Sequence, residues 1–200
     1  MIKRVLITAI FFVVALPVTS HADLIIGANI SKSLSADLDL ENDWESISLD
    51  LDTSTTSFYI GTKNNKNNRF LVTFDNMKVD VGNYSSKATG FRLDWQFVYT
   101  EEKVKPYWGL GFGVYSLKEA PLVPDEKQSG VSFQAMGGTK IDLTENLELD
   151  LQLQFQGIVW QDVEEYNCNY TSYYSYSCYT ETTSMSSSII SAGVGLAYKF

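Results

Sequence analysis

Hydrophobic and polar residues alternate with a period of two over much of this chain, the spacing of a β-strand whose two faces meet different surroundings. The clearest run is 147–159, with Leu147, Leu149, Leu151, Leu153, Phe155 and Val159 on one face and Glu148, Asp150, Gln152, Gln154 and Gln156 on the other. Residues 131–143 set Val131, Phe133, Ala135, Ile141 and Leu143 against Ser132, Gln134, Lys140 and Asp142. The same pattern holds in 24–30, 91–99, 107–115 and 190–200. Phe58 with Ile60 and Phe70 with Val72 and Phe74 mark two weaker strands, the second with an apparent slip of phase after Asp75.

The links between these eight predicted strands also alternate in length. Asn64–Asn68, Glu101–Lys105 and Thr144–Asn146 are short, 82–88 is medium, and 32–52, 118–128 and 161–184 read as longer polar loops. Short turns at one end and long loops at the other are the plan of an outer-membrane barrel, with periplasmic turns and extracellular loops. The expected fold is therefore all-β: an eight-stranded antiparallel transmembrane up-and-down barrel, apolar outside and polar within. One hairpin fixes a register. Leu143 opposite Leu147 puts Gly137 against Leu153, Ala135 against Phe155 and Lys140 against Asp150, an opposite-charge pair of the kind cross-strand contact favours.

The first residues change the picture of where the barrel goes. Lys3 and Arg4 precede an apolar run from Val5 to Val18, and Ser20-His21-Ala22 follows with small residues at the cleavage positions. This describes a signal peptide over 1–22, whose 14-residue apolar run is too short to span hydrocarbon, which needs ~20 residues. The barrel then occupies 23–200. Cleavage takes the formal charge from −9 to −11 and removes the only histidine, His21. So acidic a chain does not suit nucleic acid, which needs basic surface to displace counterions. Without histidine it lacks the commonest general base and metal-binding imidazole. No enzyme activity, cofactor or metal is expected. The acidic alternation Asp37, Asp39, Glu41, Asp43 and Glu45 departs from a calcium loop, with Asn42 where glycine and Ser48 where glutamate would stand.

Inside so narrow a barrel, charges of both signs must pair, since an unpaired one is costly. Arg92, Asp94, Lys140, Asp142, Glu148 and Asp150 are the expected lumenal network, with Arg69, Asp75 and Lys199 in the same polar sets. A carboxylate pair such as Asp94 with Glu148 has the groups for acid–base chemistry, but membership of the ion-pair network is the expected role of both. The loop over 161–184 carries Tyr166, Tyr170, Tyr173, Tyr174, Tyr176 and Tyr179 among Ser, Thr and Asn. Tyrosine and serine suit recognition, combining large contact area with low entropy cost. Cys168 and Cys178, the only cysteines, are expected to form a disulfide in an oxidising compartment.

The chain ends Gly195-Leu196-Ala197-Tyr198-Lys199-Phe200, an alternating segment closed by an aromatic. It resembles the insertion signal read by outer-membrane assembly machinery, with Gly195, Tyr198 and Phe200 as its marks. With the export signal and eight strands, the chain resembles the small-barrel group of the OmpA membrane domain, OmpX and the opacity proteins. That resemblance implies a structural or surface-interaction role through extracellular loops, with outer-membrane lipid, lipopolysaccharide and an extracellular ligand as partners. A narrow channel for small solutes or ions is the alternative, and a barrel enzyme the weakest reading.

Overall fold

The structure is a computed structural model and describes residues 23–42, 46–64, 68–82, 84–100, 102–118, 127–172 and 175–200. The segment 1–22, expected to be a signal peptide, lies outside them. The strands are β1 (Asp23–Glu41), β2 (Ser46–Asp50), β3 (Asp52–Lys63), β4 (Arg69–Val81), β5 (Tyr84–Val98), β6 (Val104–Lys118), β7 (Gln128–Asp142), β8 (Leu147–Trp160), β9 (Val163–Ser172) and β10 (Ser175–Lys199). Eight of them, all but β2 and β9, form a closed antiparallel barrel in which β10 returns to pair with β1. Closure leaves the barrel without a free edge, so every strand satisfies its backbone groups within the sheet.

The extra two strands lengthen hairpins at one end. β2 continues the pairing of β1 from Asp37 to Glu41, so most of the segment expected to be a loop over 32–52 is strand. β9 pairs with the first part of β10 to make a two-stranded ribbon. Between β4 and β5 the expected 82–88 loop is instead a tight turn: Val81 pairs with Tyr84, and Gly82 takes a φ of 56°, the left-handed conformation that a two-residue hairpin requires.

The hairpin register read from the β7–β8 turn is the one the structure shows, with Lys140 opposite Asp150, Gly137 opposite Leu153 and Ala135 opposite Phe155. A row of paired residues followed round the barrel runs Ala28, Phe58, Phe74, Phe91, Val114, Val131, Val159 and Ser186, and meets β1 again at Asp39. Discounting one residue in the bulge at Ser33–Ser35, the stagger is about ten residues, which closes eight strands at a tilt near 40°.

Exposed apolar residues make a continuous belt. Phe91, Leu93 and Trp95 on β5, Phe112 and Val114 on β6, Leu153 and Phe155 on β8, and Ile190 and Leu196 on β10 all face outward. An apolar belt of this extent on a sheet whose interior is charged is the inverse of a soluble core, and only lipid satisfies it. Trp95, Phe97 and Trp108 stack near the short-turn end, and Tyr198 packs edge-on against Phe200, an aromatic girdle where hydrocarbon meets headgroups.

On β4 the alternation does not slip. Arg69, Leu71, Thr73, Asp75, Met77 and Val79 all point inward, in unbroken sequence. What changes is the chemistry of each face: beyond the belt, the inward residues become apolar and the outward ones, Asn76, Lys78 and Asp80, become polar. On β1 the bulge does shift phase. It turns Ala36, Leu38 and Leu40 inward and leaves Asp37, Asp39 and Glu41 on the outer face, which explains the acidic alternation.

Candidate functional site

The interior is filled in three layers. At the short-turn end, Arg69 on β4 reaches across the lumen to Glu148 on β8, donating from Nη1 to Oε1 at 2.5 Å and from Nη2 to Oε2 at 2.8 Å. Lys140 donates to Asp150 at 2.5 Å, and its ammonium lies 4.3 Å from the ring centroid of Tyr107, whose hydroxyl donates to the same carboxylate at 3.0 Å. Lys105 sits 2.5 Å from Asp142 and 3.8 Å from Glu148. Lys105 was expected in a turn, but β6 begins one residue earlier and its alternation buries the side chain.

The middle layer is built round Arg92. Its guanidinium lies 3.3 Å from both Asp75 and Asp94 and donates to Gln134 at 2.8 Å. Thr73 donates to Asp94 at 2.7 Å and Ser57 to Asp75 at 2.6 Å. Gln134 also donates to Asp94, Tyr115 donates to Asp75, and Gln156 donates to the Tyr115 hydroxyl. Among the described residues the buried charged side chains are Arg69, Arg92, Lys105 and Lys140 against Asp75, Asp94, Glu148 and Asp150. The lumen is charge-balanced, so the net acidity lies elsewhere.

The third layer was not foreseen. At the ribbon end the lumen holds an apolar cluster that includes Leu38, Met77, Leu117, Ile158, Trp160, Met185 and Ile189. The gap among these side chains holds about 20 Å³, room for one water, and its walls are almost entirely apolar. The Trp160 indole still finds a partner, donating to Ser187 at 3.0 Å. Large inward aromatics fit because each lies over a glycine on the neighbouring strand. Tyr115 covers Gly90, and Trp160 covers Gly130.

The rim at the short-turn end ties the barrel's closure together. Asp142 takes hydrogen bonds from Lys105 at 2.5 Å and from Lys199 at 2.7 Å, joining β6, β7 and β10. Partial burial raises its carboxyl, but the two lysine bonds outweigh this and hold it below the ordinary value. Phe200 donates its backbone N–H to Leu24 at 2.9 Å.

Of the residues expected in one lumenal network, Arg92 and Asp94 lie in the middle layer, Lys140, Glu148 and Asp150 in the short-turn layer, and Asp142 at the rim. Asp94 belongs to the Arg92 group and Glu148 to the Arg69 group, so they form no carboxylate pair. Sequence reasoning set Gln134 on the polar face but gave it no role, and left out Tyr107 and Tyr115; their inward parity was visible, but tyrosine at an inward position reads as apolar until its hydroxyl's partner is known. Gly195 faces inward against Asn29, while Tyr198 and Phe200 face outward.

On the ribbon, Cys168 and Cys178 stand directly opposite one another and form a disulfide. Tyr166 pairs with Thr180, Tyr170 with Tyr176, and Tyr179 with Asn167 along the backbone. Tyr173 and Tyr174 lie outside the described residues, as do Asp43 and Glu45 of the acidic run.

These features define a class: a closed, plugged eight-stranded membrane barrel. The chain matches no protein-family model and no curated relative by sequence. Solved structures do match it. Neisserial surface protein A superposes with a TM-score of 0.50 at 17% identity, covering 86% of this chain and 95% of that one. Outer membrane protein H (OprH) of P. aeruginosa gives 0.51 at 15% identity, covering 90% and 100%. The chain has the fold of the small eight-stranded outer-membrane β-barrels.

Proposed function

We propose that this protein is exported to a Gram-negative outer membrane by the signal segment 1–22 and serves there as a surface-recognition scaffold, its ribbon outside the cell and its short turns in the periplasm. One observation carries the reading. The lumen is sealed by an ionic layer and an apolar layer, while β10 continues past the lipid belt into a disulfide-clamped ribbon whose paired segment measures roughly 30 Å at ~3.4 Å per residue. A sealed barrel has only its surface to offer. Tyr166, Tyr170, Tyr173, Tyr174, Tyr176 and Tyr179 give this stretch of sequence the composition of a binding surface.

Under this reading Gly195, Tyr198 and Phe200 are what the assembly machinery engages. The lumenal carboxylates are structural: Asp94 and Glu148 are each consumed by an arginine, and no catalytic role is assigned to them. The test replaces 164–182 with a short turn. Heat-modifiable gel migration should be retained, while binding of intact cells to immobilised glycans and extracellular-matrix proteins is lost; binding that survives the replacement refutes the scaffold role.

A further inference from the structure

Outside the barrel, the paired rows step from apolar to polar and then to basic. The row Phe74, Phe91, Val114 is followed one step toward the ribbon end by Asn76, Thr89, Ser116, and one step further by Lys78, Lys87, Lys118. Three lysines on three adjacent strands are thus direct cross-strand neighbours, all exposed. Like charges directly opposite destabilise a sheet. An acidic chain has carboxylates in excess with which to alternate them, yet among the described residues Lys78 alone of the three is compensated, by Asp80 at 2.7 Å. Among the described residues Lys87 and Lys118 have no ion-pair partner.

Their position matters as much as their charge. They stand four residues, or about 13 Å along the strand, beyond the last apolar row, at the level where a lipid's headgroup meets its chains. Beneath them the outer surface carries a groove bordered by Phe74, Phe91, Val114 and Val131, with Thr89 and Ser116 at its upper edge. Acyl chains fit the groove, hydroxyls fit the threonine and serine, and an anion fits the lysines.

We propose that Lys87 and Lys118, with Lys78 beside them, bind the phosphate of an outer-leaflet lipid of the lipid A class whose acyl chains lie on Phe74, Phe91 and Val114. The lysine supplies a point charge for phosphate, and the anion relieves the repulsion between neighbouring strands. The inference rests on the outer-membrane reading above.

The experiment uses the purified, folded mature protein in a neutral detergent. Diphosphoryl lipid A and the same lipid stripped of phosphate are the probes, and bound stoichiometry and affinity are read by native mass spectrometry. Lys87→Gln/Lys118→Gln should bind the phosphorylated lipid about 30-fold more weakly than wild type, each lysine near an anionic surface contributing comparably. Lys32→Gln is the control, since Lys32 is already paired with Asp52 at 3.4 Å and should change nothing. Millimolar inorganic phosphate should not displace the lipid. Equal affinity in the double variant, equal binding of the phosphate-free lipid, or displacement by free phosphate each overturns the proposal. Heat-modifiable migration of both proteins is run alongside. A variant that migrates as folded but binds weakly supports the site, whereas a wild-type protein that is not heat-modifiable fails the membrane reading instead.

Discussion

At the scale of single residues, the interior shows why buried charges come in closed sets. Arg69 and Glu148 are almost wholly excluded from solvent and meet through two hydrogen bonds. Removing one partner strands the other, and such a loss costs about 3–5 kcal/mol, far more than an exposed pair is worth. Arg69→Ala should therefore lower the unfolding free energy of the barrel in detergent or vesicles by about that much. Arg69→Met with Glu148→Leu should recover most of it, as read from urea titrations. Asp142 behaves differently because it is partly exposed. Its lysine bonds depress its pKa in the folded state, so it contributes stability above the ordinary carboxylate value of 3.8 and loses it as pH falls through the depressed one. Solvent screening keeps the contribution to about 1 kcal/mol or less. The stability gap between wild type and Asp142→Asn should be measurable at pH 7 and close once the carboxyl is protonated below pH 3.8.

At the scale of elements, two hairpins illustrate what a sequence tells and what it withholds. The β7–β8 hairpin was legible in full because its turn is tight and each strand alternates cleanly, which leaves one register that keeps Lys140 beside Asp150. The β1–β2–β3 and β9–β10 hairpins were read as loops because their sequences are rich in acidic and hydroxylic residues. On β1, Asp37, Asp39 and Glu41 face outward while Ala36, Leu38 and Leu40 face inward. The same inversion made β4 seem to lose phase after Asp75. The ribbon should be separable from the barrel energetically. Its disulfide closes a separation of 10 residues and restricts the open ribbon by about 2–3 kcal/mol. Cys168→Ala/Cys178→Ala should leave the barrel's unfolding midpoint unchanged and hasten proteolytic cutting within 163–183; a lowered barrel midpoint would show that the two are coupled.

At the scale of the whole molecule, the barrel is a membrane protein below and a small soluble one above. Through the lipid belt its apolar residues face out and its charges face in; past the belt, Leu38, Met77 and Trp160 turn inward and form a core of the ordinary kind. The two plugs obstruct the lumen by different physics, ion pairing and apolar packing. Planar-bilayer recordings should accordingly show no conductance above background, and steady openings in wild-type protein would restore the channel reading.

Alternation, strand number, the belt and the turn register were decided by the sequence alone, because each is a property of a strand and its immediate neighbours. Which lumenal charge meets which was decided by closure. Arg69 and Glu148 are 79 residues apart and on strands that do not touch, and the stagger of the closed sheet brings them to one level. Lys78, Lys87 and Lys118 meet through the registers of adjacent strands. The stagger of the closed sheet also stacks apolar residues from distant strands into a second core, since cross-barrel proximity exists only once the sheet has curled shut.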